Sequence, residues 1–300
     1  MVQIQNNNQL VNNLVASVLT EVLGELVINN SERVLGGGCI NNAAKLETSA
    51  GNFFLKWNDN CATDIFVREA ESLRELKKAS AGFLNVPEVF AVKTVDETPG
   101  FLVLEYLEGS RSSADSDDIL GRGLATIHKF SNPQFGFYAN NYCGATLQNN
   151  KWNKSWPDFF RDNRLLFLLG LIDKERPLVV EERMVYDKLL SRIDNLLPNE
   201  SVPVLIHGDL WSGNYMISEN GPALIDPASY YADREIEFAI MTMFGGFSQR
   251  FYDSYNDVNP LPSDWKDRNS LYQLYHVLNH YYLFGGGYRN QALQIAKRYL

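Results

Sequence analysis

The chain has 300 residues, 45% of them apolar and 12% aromatic, with 36 acidic against 27 basic side chains for a formal charge of −9. That is enough apolar matter for one large domain or two lobes with a true core, and the acidic balance excludes a protein that tracks a nucleic-acid backbone, which presents basic faces to phosphate. The densest apolar stretch, Leu165 to Ile172, is far shorter than the roughly 20 residues that cross a bilayer. The first residues lack the basic start and apolar run of a secretory signal. Cys39, Cys61 and Cys143 are scattered without the paired spacing of a zinc site or a disulfide framework. A soluble, cytoplasmic protein with neither membrane nor nucleic-acid partners is expected.

Apolar positions at helical spacing predict a first helix over 9–27, after an Asn-rich start to which the sequence gives no role. Gly36-Gly37-Gly38 follows, and from Val34 to Trp57 the pattern changes to short β-like runs ending in Asn52-Phe53-Phe54-Leu55-Lys56-Trp57. Phe66, Ala70, Leu73 and Leu76 recur among charges and predict an amphipathic helix over 64–79. Two further strands, 87–92 and 101–107, flank the turn signal Pro99-Gly100. Beyond residue 108 helices are predicted at 117–130, 156–172, 181–197, 234–244 and 268–284, with short strands only at 203–206, 215–217 and 223–225. The expected fold is α+β and bilobal, with an antiparallel N-lobe over 1–108 and a mostly helical C-lobe over 109–300.

The most informative segment is His207-Gly208-Asp209-Leu210-Trp211-Ser212-Gly213-Asn214, directly after the apolar run Val204-Leu205-Ile206. Phosphoryl transfer to a hydroxyl requires a carboxylate beside the nucleophile and oxygen ligands for magnesium. Asp209 and Asn214 on one loop, with Asp226 returned by a hairpin, meet that requirement. Lys56, at the end of a β-like run, offers an ammonium to ATP phosphates, and Glu69 on the next helix offers it a partner. Gly36, Gly37 and Gly38 let backbone amides approach phosphate. Each feature alone also fits a plain structural role: a turn, a solvated lysine, an ordinary hairpin. Their order is what a kinase fold needs.

These residues resemble the fructosamine/ketosamine-3-kinase family of the aminoglycoside-phosphotransferase-like, protein-kinase-like branch. The stretches that carry the resemblance include Gly36 to Asn41, Gly51 to Lys56, Phe66 to Leu73, His207 to Asn214, Ile225-Asp226-Pro227-Ala228, Asp233-Arg234-Glu235, Phe244-Gly245-Gly246-Phe247 and Leu274 to His280. The resemblance implies transfer of the ATP γ-phosphate to the 3-hydroxyl of a ketosamine, free or on a glycated protein, and release of the amine as repair. Asp209 is then the catalytic base, Asn214 and Asp226 hold Mg2+, Lys56 clamps phosphate with Glu69 behind it, and adenine sits on the linker Glu105-Tyr106-Leu107.

Trp211 offers an indole face to a sugar or a packing ring between lobes. Asp233 and Arg234 are candidates for the acceptor side, and Arg234 equally fits a structural ion pair. His207 is expected to scaffold the catalytic loop; His276 and His280, at i and i+4 without a third ligand in view, are expected to pack. Cys39, among the amides of the glycine loop and near Lys56, is expected to be a redox-sensitive thiol, the alternative being a small apolar filler. Alternatives on the same fold are a kinase for an aminoglycoside, choline or amino alcohol, and a nucleotide-binding module without turnover. No Ser or Cys has a placed His partner, which counts against acyl transfer.

Overall fold

The computed structural model describes residues 2–24, 28–30, 41–96, 98–113 and 115–300, with side chains described from Asn13 onward in the first stretch and not in the second. The predicted glycine loop, Gly36, Gly37 and Gly38 with Cys39, lies outside the described residues.

The N-lobe is a five-stranded antiparallel sheet of β1 (Ile28–Asn30), β2 (Asn42–Thr48), β3 (Gly51–Asn58), β4 (Val89–Lys93) and β5 (Gly100–Glu105), in the order β1-β2-β3-β5-β4. Side chains alternate across a strand, and both faces of this sheet are covered. Phe101 and Val103 of β5, with Leu55 and Trp57 of β3, pack against Val15 and Leu19 of α1 (Val2–Leu23). Leu102 and Leu104 point the other way, into the cluster that holds Phe66, Leu73 and Leu76 of α2 (Ile65–Ser80). Burial on both sides explains why β5 reads as a continuous apolar run rather than an alternating one. The same alternation sends Lys56, between Leu55 and Trp57, to the α2 face. The first helix begins before the predicted 9–27 and takes in the Asn-rich start.

The C-lobe opens with α3 (Ser116–Ile127) and a small hairpin of β6 (Asn141–Cys143) and β7 (Thr146–Gln148). The predicted 156–172 helix is α4 (Trp156–Asp158), a π-helical stretch Phe159–Leu166 and α5 (Phe167–Glu175). The wide turn carries Arg164 into the interior, where its guanidinium lies 3.8 Å from the Tyr230 ring centre and donates to Asn149 O and Asn150 Oδ1, both at 2.7 Å. Next come α6 (Val180–Leu190), α7 (Ile193–Leu196), β8 (Val204–Ile206), the hairpin β9 (Tyr215–Ser218) and β10 (Gly221–Leu224), β11 (Tyr230–Ala232), α8 (Glu235–Phe244), α9 (Gln249–Val258), α10 (Trp265–Phe284) and α11 (Tyr288–Arg298). β8 pairs antiparallel with β11, Ile206 opposite Tyr230 and Val204 opposite Ala232. Helix α10 packs on α5, α8 and α11.

The two lobes are stitched together beside the cleft. Asn85, between α2 and β4, exchanges backbone bonds with Pro222 O (3.0 Å) and Leu224 N (2.9 Å), and its amide donates to Asn220 O at 2.9 Å. Tyr142 and Tyr231 of the C-lobe donate to Asp64 (2.6 Å), at the start of α2, and to Glu75 (2.9 Å), in its second half. Among the described residues no helix is long and apolar enough to cross a membrane.

Candidate active site

Lys56 and Glu69 meet because each is on the buried side of its own element. Glu69 lies between Phe66 and Leu73 on the stripe that α2 turns to the sheet, and both its carboxylate oxygens accept from Lys56 Nζ, at 2.8 and 2.9 Å. The same ammonium donates to Asp226 Oδ1 at 2.9 Å. Burial acts to strip the proton from Lys56, but Asp226 and Glu69 outweigh it and raise its pKa, so the cation is held firmly. Asp226 has φ 55°, a left-handed conformation that Asp adopts more readily than most residues.

The loop after β8 is fixed from beneath. Glu237 of α8 is buried, and its carboxylate accepts the backbone N–H groups of His207 and of Gly208, the latter at 3.0 Å. His207 Nε2 donates to Ile225 O at 2.9 Å, which leaves Nδ1 to accept from Asp209 N at 3.3 Å. Burial lowers the His207 pKa, in keeping with this neutral, twice-bonded ring. Gly208 has φ 86°, and a Cβ there would lie 2.2 Å from Ala228 O. Gly208→Ala is therefore expected to cost about 1–3 kcal/mol by overpacking alone, with added strain from the positive φ. A lowered thermal midpoint together with lost turnover checks this; a wild-type melt would contradict it.

Asp209 itself is partly open to the cleft. Asn214 Nδ2 donates to its main-chain O at 2.8 Å and to Oδ2 at 3.1 Å. Burial, followed by the negative charge of Glu237, pushes the Asp209 pKa up to about 8; the Asn214 bond opposes the rise and Asp226 adds to it. Asn214 in turn is held to the base of the β9–β10 hairpin, where Ile225 N donates to Asn214 O at 3.0 Å. Because Asn214 commits its amide nitrogen to Asp209, its carbonyl oxygen remains as a hard donor. With the Asp226 carboxylate, whose side chain is 44% exposed, it would offer oxygen donors of the kind Mg2+ takes.

The family model described as fructosamine kinase matches residues 11–300. This chain belongs to the fructosamine kinase family. A probable ketoamine kinase of Synechocystis sp. is 36% identical over 95% of this chain and 96% of its own length. A chloroplastic protein-ribulosamine 3-kinase of Oryza sativa subsp. indica is 39% identical over 89% of this chain and 78% of its own. Among solved structures, a putative fructosamine-3-kinase from Haemophilus somnus superposes with a TM-score of 0.84 at 27% identity, covering 95% and 96% of the two chains. The bilobal kinase-like fold expected from sequence is therefore the one this family has.

Against that fold, the residues singled out in the sequence divide into two groups. Lys56, Glu69, Asp209, Asn214 and Asp226 come together in one cleft through the bonds above. Glu105 ends β5, its carboxylate accepting Glu88 N at 3.1 Å, and Tyr106 and Leu107 follow half-buried and outside any strand. Trp211 is 38% exposed, folded over Gly213 and 5.9 Å from the ring of Phe244, so its indole borders the loop after β8 rather than filling the core. Asp233 and Arg234 require a correction. They follow Ala232, at the end of the β8–β11 ladder away from His207. Asp233 is buried against Ser201 Oγ and accepts Glu235 N at 2.8 Å; Arg234 donates to the Asn259 side chain and to the Asn259 carbonyl at 2.9 Å. Burial and the Glu235 charge raise the Asp233 pKa to about 6. Arg234 thus ties the start of α8 to the end of α9 while Asp233 ties it to Ser201, and the ion pair in this corner belongs to Glu235, held by Arg268 at 2.7 and 2.8 Å.

Sequence reasoning missed Glu237. Its signal was present: Ile236, Phe238, Ala239, Ile240 and Met241 set it in an apolar run that leaves a carboxylate little access to water, and all five are buried. The expectation that His276 has no third ligand near it is also corrected. Cys143 and Asp209 bring ligand atoms within 4.8 Å of it and of each other.

Proposed function

We propose that this protein is an ATP- and magnesium-dependent kinase that phosphorylates the 3-hydroxyl of ketosamines. The observation that carries the reading is the bridge from Lys56 on the N-lobe sheet to Asp226, two residues past β10, on the same hairpin that presents Asn214 to Asp209. One cation for phosphate, two hard donors for a metal and one carboxylate of raised pKa share a cleft, as transfer of a γ-phosphoryl group to an alcohol requires.

In this reading Asp209 accepts the proton of the acceptor hydroxyl as its oxygen bonds to the γ-phosphorus and the bond to the β-phosphate oxygen breaks, releasing ADP. A carboxylate whose pKa stands near the working pH suits that role. Lys56, steadied by Glu69, holds the phosphates, and Asn214 and Asp226 are the residues to hold Mg2+, which when bound offsets the charge of the triphosphate. Backbone groups of Glu105, Tyr106 and Leu107 lie where the linker would receive adenine. The half-exposed rings of Trp211 and Phe244 offer the apolar face of a sugar a place to stack. The product explains a repair role without further catalysis: enolisation toward C1 lets the C3–O bond break with loss of phosphate, and hydrolysis of the resulting imine frees the amine. The two named relatives, a ketoamine kinase and a ribulosamine 3-kinase, support this acceptor class.

The test is magnesium-dependent ADP release with ribulose-lysine, fructose-lysine, choline and an aminoglycoside offered in parallel, with phosphorus NMR of the product. A C3 phosphate formed only on the first two is expected. Turnover confined to choline or the aminoglycoside would overturn the acceptor, and absence of ATP binding would overturn the reading as a whole.

A further inference from the structure

Behind the catalytic carboxylate lies a polar cluster that the proposed reaction leaves unused. Cys143 closes β6, and His276 and Asn279 lie one turn apart on α10. Asn279 Nδ2 donates to Cys143 O at 3.3 Å and contacts its Sγ at 3.4 Å, which anchors the thiol to the helix. Cys143 Sγ, a carboxylate oxygen of Asp209 and a ring nitrogen of His276 all lie within 4.8 Å of one another. His276 is 3% exposed, and its Nδ1 is buried with no hydrogen-bond partner among the described residues, an uncommon and costly state for a buried nitrogen.

We infer that Cys143, Asp209 and His276 form a binding site for a thiophilic divalent ion such as Zn2+, and that the ion inhibits the enzyme by occupying its catalytic base. The donor set is one thiolate, one imidazole and one carboxylate. That is a three-ligand set with a position left for water, which suits zinc and is disfavoured by magnesium. It is therefore distinct in kind from the all-oxygen pair of Asn214 and Asp226. Charge supports it as well: a dication with one thiolate and one carboxylate sums to zero, so the filled site adds no net charge to a buried region. Burial and the neighbouring His280 and Arg164 hold the His276 pKa down to about 3, so its ring is neutral and ready to bind. Cys143 is a thiol at rest, raised by burial and by Asp209. Binding breaks its S–H bond, forms the S–metal bond and releases that proton, together with the one Asp209 carries when it is protonated, to solvent. Asp209 is the member of the three that is open to the cleft, and it gives the ion a way in.

The test uses Co2+ and Zn2+ on the full chain. Co2+ added to wild type is expected to produce the near-ultraviolet thiolate-to-cobalt absorption, saturating at one ion per chain. Cys143→Ser should lose the band, and His276→Asn should weaken cobalt binding about 10–100-fold, the scale at which even supporting groups of a metal site act. In the magnesium–ATP assay, micromolar Zn2+ should inhibit wild type reversibly by chelation. Both variants, with near-normal basal turnover, should tolerate at least tenfold more. Absence of the thiolate band in wild type, or equal Zn2+ sensitivity in wild type and both variants, would overturn the site. The band needs no turnover, so its fate is separable from that of the acceptor assignment.

Discussion

Asp209→Asn is expected to lower kcat for acceptor phosphorylation by about 10²–10⁴-fold, the usual worth of a positioned general base, while ATP binding persists. It is also expected to raise the melting temperature at pH 8. The sign follows from the shift: the Asp209 pKa is raised to about 8 from 3.8, so the folded state favours the protonated acid. That contribution to stability is present below pH 3.8 and is lost as pH rises through 8. At pH 8 folding of the wild type must either bury a carboxylate that burial and Glu237 disfavour or take up a proton from solvent, and an uncharged Asn removes this penalty. The gain should shrink as pH falls toward 4, where both side chains are neutral. Stopped-flow or coupled ADP release, with thermal melts at pH 5 and pH 8, checks both halves. A variant that keeps wild-type turnover would remove Asp209 from the role of base. One that melts lower at pH 8 than at pH 5, relative to wild type, would contradict the electrostatic account.

Lys56→Met should be the most damaging change in the N-lobe, for two separable reasons. It removes the cation that would hold the ATP phosphates. It also leaves Glu69, 12% exposed at its side chain, as a carboxylate without its partner, and breaking such a buried pair costs about 3–5 kcal/mol. Asp226 is relieved by solvent, so Glu69 bears most of that cost. Lys56→Met combined with Glu69→Leu is expected to recover much of the stability and none of the activity, because an apolar pair fills the space without a lone charge. Urea midpoints and nucleotide titration by calorimetry distinguish these outcomes. ATP binding by the double variant at wild-type affinity would take Lys56 out of the phosphate site.

The cleft was legible in the sequence to the extent that its residues follow regular elements. Lys56 and Glu69 could be paired because strand alternation and helical spacing each have a fixed period. Asp209, Asn214 and Asp226 could be grouped because one loop and one hairpin connect them. The rest depends on long-range packing that no local period encodes. The β6–β7 hairpin was missed because its three-residue strands, Asn141–Cys143 and Thr146–Gln148, bury Asn141, Thr146 and Gln148 and expose Leu147, the reverse of an apolar alternation. Its burial is met instead by amides, Gln148 Nε2 and Asn150 Nδ2 both donating to Asn141 Oδ1, at 3.0 and 2.7 Å. Helix α9 was passed over because its buried Phe251 and Tyr255 sit among polar neighbours. Asp233 and Arg234 were misplaced for the opposite reason. Charged residues next to a recognisable motif look functional, and only the β8–β11 register shows that they fall at its far end.

The β9–β10 hairpin acts as a ruler for the donor pair. Tyr215 faces Leu224, and the bond from Ile225 N to Asn214 O continues the ladder one step further, so the separation of Asn214 from Asp226 is set by strand register. That register is fixed at the opposite end, by a tight turn in which Gly221 has φ 101°, Ser218 Oγ donates to Gly221 O at 2.8 Å, and Asn85 grips Asn220. A residue added or lost at 219–220 would slide one strand along the other and part the two donors, although nothing in the cleft had been touched. The tip of this hairpin is thus a point of heritable risk for catalysis, and the Asn85 clasp from the neighbouring lobe guards its length.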